Sequence, residues 1–445
     1  MIAEKEILRR RDMRDVLTFT IDPSDAKDFD DALSFAKIEG PSSDPSLKGG
    51  EVYQIGVHIA DVSFFVRPGT PIDDEAYKKG TSVYLVDRVI PMLPEELCND
   101  KCSLRPGEEK LCMSVIFAMD AEAKVLKHKI CRTVIRSDAR LNYDEAQAVI
   151  KGERLDVRGE GLEEALRTLD GLARKMRAER IANGALTIEQ DETRFRLDEH
   201  GHPTEIYFEQ PNESHHLIEE FMLLANKTVA KSVGSGRPFV YRVHDLPDSE
   251  KLEEIKKFKR QCAVTAKMRH RPVSEESLRR AVDMLTIRAQ AKAVYSTYNI
   301  GHYGLAFSHY THFTSPIRRY PDLMVHRLVE KYILTGKPIS LTREELEEKC
   351  EHCSACEQEA AQAERDSIKL FQAMWMKDHV GEILAGHITG VTDFGFFVQL
   401  DDSRCEGLVH MMTIEHPEDY VMGDPVTVQV VRVDINRAQI DFEFA

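Results

Sequence analysis

"TFTIDPSDAKDFDDALSF", Thr18 to Phe35, is the stretch on which the reading of the chain turns. A strand-like apolar run leads up to Ile21, and a second begins at Ala32. Between them, from Asp22 to Asp31, stand five carboxylates. Like charges this close repel, and taking them out of water is costly unless something compensates. An acidic loop in open solvent raises no such problem, but this one interrupts an apolar run and so sits at a strand end beside a core. In an extended chain Asp28 and Asp30 share one side. The spacing does not suit a calcium loop of the EF-hand type, whose glycine would fall on Lys27 and whose terminal glutamate would fall on Leu33. Hard oxygen ligands that leave room for a phosphate suit magnesium, with manganese as a substitute. The residues alone therefore point to divalent-metal phosphoryl chemistry.

The bulk properties bound the rest. A chain of 445 residues suggests two or three domains. No apolar run approaches the roughly 18 residues of a membrane span. The start, "MIAEKEILRRRDMRD", lacks the apolar centre of a signal peptide, so a cytoplasmic protein without membrane attachment is expected. Nine thinly spread cysteines fit reduced thiols better than a disulfide framework. A net charge of −16 argues against a general nucleic-acid coat, though a groove's field depends on its own lining.

Along the chain, "EVYQIGVHIADVSFFV", "TSVYLV" and "LCMSVIFAMD" read as strands with Gly, Pro and Asp between them. Helical patterns occupy about 142 to 183, then "HHLIEEFMLLANKTVAKSVG", then 250 to 293 and most of 322 to 379. A break falls near Val380. After it, evenly spaced short strands with glycine turns predict a small closed barrel.

Five separated blocks now carry a resemblance: "TIDPSDAKDFDDAL", "GVHIADVSFFV", "GTSVYLVDRVIPMLPEELCNDKCSL", "HHLIEEFMLLAN" and "HYTHFTSPIRRYPDLMVHRL". In this order they resemble the RNB catalytic domain of the ribonuclease II / ribonuclease R family. The tail, "GEILAGHITGVTDFGFFVQL", resembles an S1 RNA-binding domain of the OB-fold type. The resemblance implies an α+β fold, a mixed sheet wrapped by helices, followed by an all-β barrel. It divides the chain into an N-terminal extension (1–14), a catalytic domain (15–379) and an S1-type domain (380–445).

It also implies a processive 3′→5′ hydrolytic exoribonuclease. Such an enzyme acts on single-stranded RNA, and on structured RNA with a 3′ overhang, by a two-metal mechanism, and releases nucleoside 5′-monophosphates. The family's metal-holding aspartates fall on Asp22, Asp28, Asp30 and Asp31, with Asp30 the most sensitive; Asp25 stands outside the quartet. Arg318 matches the catalytic arginine, a planar fork suited to a scissile phosphate. Glu219 matches a glutamate near the 3′-terminal nucleotide, where a carboxylate can accept a ribose hydroxyl. Tyr84 matches an aromatic that stacks on bases. The second aromatic of that clamp falls near Ile188, where many members have phenylalanine, which predicts a looser hold on the terminal bases. The family's usual cold-shock domains have no room ahead of a motif that begins within the first 25 residues, which predicts weaker exclusion of duplex RNA. The resemblance also implies a monomer. The alternative is a catalytically weak RNB-type protein that mainly binds RNA.

Other features read more plainly. Arg174, Arg177 and Arg180 recur every third residue on one helix face, within reach of phosphates. His58 and Asp61 read as structural hydrogen-bonding groups. Cys350, Cys353 and Cys356 form a C-x2-C-x2-C array, but one straight helix cannot wrap four ligands around a metal, so they read as helix packing.

Overall fold

In the computed structural model the described residues are 4–38, 51–154, 161–187, 191–234, 236–265, 274–336 and 341–445. Among them a seven-stranded mixed sheet forms the centre. Its order, edge to edge, is Arg11–Asp12, Val125–Arg136, Glu109–Asp120, Val52–Ala60, Asp31–Ile38, Thr18–Asp22 and Ala139–Asn142. The two edge pairings are parallel and the interior ones antiparallel. Thr18–Asp22 is buried along its whole length and Val52–Ala60 almost so. Both faces of the sheet are covered, so these strands read as near-continuous apolar runs rather than alternating ones.

Register places the acidic stretch. Asp31 lies opposite Ile59, which lies opposite Met113, at one end of the sheet. Ile38, Val52 and Asp120 mark the other end. The helices Tyr143–Ile150, Leu162–Ala182 and Glu213–Val233 pack on one another, and the last also packs on Val52–Ala60. Asn142 and Asn212 cap the first and third with reciprocal hydrogen bonds at the helix start. The helical region expected over 250 to 293 is two helices, Ser249–Thr265 and Glu275–Ala289, and that over 322 to 379 is Tyr320–Val329 and the 34-residue Arg343–Met376.

That long helix serves two cores. Cys350 and Cys353 lie in the main core, while Ala373 and Met376 lie in the core of the C-terminal barrel. Cys356 is half-buried and pairs with His352 one turn back at 3.4 Å. The barrel is closed, in the order Ile383–Thr392, Gly395–Leu400, Glu406–His410, Gln439–Phe444 and Pro425–Asp434. A hairpin, Glu192–Leu197 with Pro203–Glu209, joins barrel and body. Ile206 packs on the barrel core, Phe195 meets Phe371 of the long helix, and Arg404 of the barrel sits 4.2 Å over Phe208 and pairs with Asp191.

Buried polar groups pin the sheet. His58 bridges two hydroxyls, Ser114 at 2.8 Å and Ser34 at 2.9 Å, and burial pushes its pKa down to about 3. Gly56 makes room for this bridge, since a Cβ there would stand 2.4 Å from both His58 Nε2 and Ser34 Oγ. Arg10, of the segment read as an extension, reaches into the same interior and pairs with Asp61 at 2.7 Å; Arg132 stands 3.4 Å from the same carboxylate. Burial alone raises the Asp61 pKa, but Arg10 and Arg132, together with the Ser63 hydroxyl and His326, outweigh it and hold the carboxyl below its ordinary value. Removing one partner of such a pair strands the other charge. Asp61→Asn is therefore expected to lower the free energy of unfolding by about 3–5 kcal/mol in denaturant titration, and an unchanged midpoint would overturn this role.

Candidate active site

The acidic stretch is shaped by what it cannot expose. Phe29 is buried and sits 5.0 Å under Arg140, between the neighbouring carboxylates Asp28 and Asp30. Its amide donates to Ser103 Oγ at 3.0 Å, and that hydroxyl donates to the Lys27 carbonyl at 2.7 Å. Arg140 also donates to the carbonyls of Pro23 and Ser24, at 3.0 and 2.8 Å. The chain from Pro23 to Asp30 has no regular secondary structure, yet its backbone is held at both ends.

The second component arrives from far along the chain. In "SPIRRYPD" the Ser315 amide donates to Asp322 Oδ1 at 2.8 Å, and Arg319 grips Asp322 with two hydrogen bonds, at 2.9 and 2.8 Å. That turn points the Ile317 amide at Asp30 Oδ1, 2.9 Å away. It also leaves Arg318 Nε 3.7 Å from Asp30 Oδ2, with the Arg318 side chain 44% exposed and a second contact to Ser315 Oγ at 3.1 Å. Arg319 is locked inside and Arg318 is presented.

These groups line a cleft of about 780 Å³ that takes in Asp22, Asp28, Asp30, Asp31, Tyr84 and Arg318. Asp25 sits exposed at its rim. Burial raises the pKa of every member of the quartet. Asp22 goes up to about 8, by burial and then by the charge of Asp31. Asp31 goes up to about 6, by burial against the pull of Arg318 and Arg319. Asp30, fully enclosed, is pushed well up by burial, and Asp28 moves in the same direction for the same reason.

Asp22 Oδ2 and Asp30 Oδ2 are buried with no hydrogen-bond partner among the described residues. A divalent cation would answer both facts, because it supplies the missing partner and removes the repulsion. No three potential ligands among the described residues stand as a ready cluster. The unpartnered carboxylate oxygens fit a hard divalent cation that would take water or substrate oxygens as its remaining ligands.

Tyr84 stands beside these groups on a two-residue strand paired with Val89–Ile90. Gly80 sets this up. It ends the helix Pro71–Lys79 with φ +69°, and a Cβ would meet Cys356 Cβ at 2.5 Å. The chain then docks on the arginine segment, with the Ser82 amide donating to the Arg318 carbonyl at 2.9 Å. Tyr84 remains 39% exposed, and burial of its hydroxyl end raises the pKa to about 12. Glu364, on the long helix, accepts the Tyr84 amide at 3.2 Å, and Tyr143 lines the opposite wall, stacked on His215 at 3.8 Å. Neither was singled out in the sequence: the first lies 280 residues from its partner, and the second reads as an ordinary helix-opening residue.

The remaining expected residues lie elsewhere. Glu219 does not line the cleft; it takes Arg180 Nη2 at 3.3 Å, while Arg180 binds the buried Glu220 at 2.6 and 3.0 Å. Arg174 pairs with Asp170 at 2.8 Å, and Arg177 lies 3.3 Å from His216; both line a separate depression of about 280 Å³. Ile188 falls outside the described residues.

Comparison with known proteins agrees in domain content. The RNB domain family matches residues 10–335 and the S1 RNA binding domain family matches residues 377–444. Ribonuclease R of Aquifex aeolicus is 42% identical over 478 aligned residues, which take in 99% of this chain and 66% of the relative. The chain thus spans just under two thirds of that protein. Among solved structures, Mycoplasma genitalium RNase R in complex with ribose-methylated single-stranded RNA superposes with a TM-score of 0.88 at 26% identity, covering 100% of this chain and 73% of that one. The same protein with double-stranded RNA gives 0.85 at 25%, covering 100% and 78%.

The raised carboxylates have a consequence for stability. Between the ordinary carboxylate range and about pH 8, native Asp22 holds a proton that the unfolded chain has lost, so stability falls as pH rises through that window. In EDTA near pH 8, Asp22→Asn is expected to be more stable than wild type by on the order of 1–3 kcal/mol, with the gap closing toward pH 5 and shrinking on addition of magnesium. Thermal melts read this directly, and a wild type more stable than the variant in EDTA at pH 8 would contradict it.

Proposed function

The chain belongs to the RNB family, and from that premise we propose that it is a 3′→5′ hydrolytic exoribonuclease that releases nucleoside 5′-monophosphates. The single observation that carries the reading is the join at Asp30. One of its oxygens is clamped by the Ile317 amide and the other faces Arg318, so the acidic loop and the arginine segment form one unit. In this reading residues 15–379 are the catalytic domain and 380–445 the RNA-holding domain.

Asp22, Asp28, Asp30 and Asp31 hold magnesium, or manganese in its place. When bound, the ion supplies neutralising charge at the scissile phosphate and an acidified water. Arg318, oriented by Ser315, offers its fork to the phosphate where charge develops. Tyr84 presents a ring face for a base, which suits a sequence-tolerant nuclease. Glu219 and the Arg174–Arg177 face, which lie away from the cleft, are assigned to more distant contacts with the RNA strand. The likeness to a ribonuclease R solved with single-stranded and with double-stranded RNA supports RNA as substrate, and structured RNA with a 3′ overhang as a further one.

The deciding experiment incubates 5′-labelled single-stranded RNA and magnesium with wild type and with Asp30→Asn. Stepwise shortening from the 3′ end to a short limit product is expected for wild type, with loss of at least roughly two orders of magnitude in rate for the variant. Internal cleavage, or activity that survives the substitution, would overturn the proposal. A second assay compares single-stranded, 3′-overhang and blunt duplex RNA at one salt concentration. Degradation of the overhang substrate through its duplex is expected, and refusal of every duplex-containing substrate would refute the predicted tolerance.

A further inference from the structure

A second cleft, of about 830 Å³, lies at the other end of the sheet. It opens between the turn after Glu109–Asp120, the C-terminal half of Glu213–Val233, the end of Leu162–Ala182 and the segment 306–309. The strand Asp31–Ile38 separates the two ends, and its eight residues span roughly 23 Å. One mononucleotide cannot touch both clefts.

The lining reverses the sign of the chain as a whole. Arg180 is neutralised by Glu220 at 2.6 Å and also takes Glu219, outside the lining, at 3.3 Å, while Glu122 is paired with Lys175 at 3.1 Å. That leaves Lys124, Lys227 and Lys231 facing the cleft against Glu179. Lys124 and Lys231 are exposed and have no carboxylate partner among the described residues. Lys227 stands 5.0 Å over the ring of Phe307. Ala306, just before that ring, has φ +55°, a left-handed conformation that costs a non-glycine residue and marks a backbone held in place by its surroundings. Ser232 and Thr228 add hydroxyls on the same helix face.

One ammonium over an aromatic ring, with two more lining the same cleft, matches a ligand with a phosphate at one end and a flat ring at the other. The volume lies within the range of small-molecule sites. We propose that this cleft binds the phosphate and base of a nucleotide, apart from the acidic cleft. The nucleotide is either a free nucleoside 5′-monophosphate or a unit of a single RNA strand, and the choice of nucleotide over other phosphate compounds rests on the exoribonuclease reading above.

The test uses the full chain carrying Asp30→Asn, in EDTA, so that RNA is not hydrolysed during the measurement and no metal bridges phosphate to the acidic cleft. Calorimetry follows 5′-AMP and inorganic phosphate, and anisotropy follows a labelled single-stranded oligoadenylate. Each ligand is offered to this parent, to the parent with Lys227→Glu and Lys231→Glu, and to the parent with Lys124→Glu, which changes one exposed turn residue and decides the matter if the double change does not fold. Binding of 5′-AMP that both variants weaken by roughly tenfold or more supports the site and identifies its ligand as the free nucleotide. Absence of 5′-AMP binding with a comparable loss for oligoadenylate supports the site and identifies the strand. Nucleotide and oligoadenylate binding unmoved by either variant would overturn the proposal, as would inorganic phosphate binding as tightly as 5′-AMP. Because hydrolysis of labelled RNA by wild type is read separately, failure here leaves the exoribonuclease reading standing.

Discussion

Four carboxylates drawn out of water beside one half-exposed arginine set the terms for the whole molecule. Asp30 is fully enclosed and has a single backbone donor. Protein groups alone do not balance this charge, and the raised pKa values of its neighbours are the direct expression of that deficit. The surroundings hold the imbalance in place rather than relieve it. Ser103 and Arg140 fix the loop backbone, Phe29 anchors it from beneath, and the sheet register puts Asp31 at a strand end where the cleft can open. Counter-ions would balance a site built this way, which suits the chemistry proposed above, in which a phosphate shares those ions.

Arg318 and Arg319 show how one turn gives adjacent identical residues different work. Arg319 is fixed by two hydrogen bonds to Asp322 and is half-buried, so its charge stabilises the turn. Arg318 has only the Ser315 hydroxyl and the distant Asp30 oxygen as partners, so its fork is available. Exchange of either for lysine would lose the planar fork, with which one arginine holds the turn and the other faces the cleft.

Much of this was legible in the sequence, and the boundary of legibility is physical. The acidic loop was readable because its charge interrupts an apolar run, and the barrel because its strands are short and evenly spaced. The cysteine array was readable as packing because helical periodicity alone forbids a closed ligand set, and Cys350 and Cys353 do lie in the core. What could not be read were the contacts that close over long separations. The Ile317 amide on Asp30 spans 287 residues, and Glu364 on the Tyr84 amide spans 280. The arrangement of Arg174, Arg177 and Glu219 escaped for a different reason. Helical spacing says which residues share a face, but not which wall of the protein that face meets, and local ion pairs claim two of the three: Asp170 takes Arg174, and Arg180 takes Glu219.

The helix Arg343–Met376 is about 51 Å long and has side chains in two hydrophobic cores. Its middle carries Glu364, which holds the backbone of Tyr84 at the mouth of the acidic cleft. A rod fixed at both ends transmits torque. The hairpin Glu192–Leu197 with Pro203–Glu209 is a second such link, since Glu192 and Arg194 line the cleft while Ile206 packs on the barrel core. Through the long helix the barrel is therefore tied to the cleft mouth by one continuous element, and the last turns of that element are completed by the barrel core just as its first turns are completed by the main core.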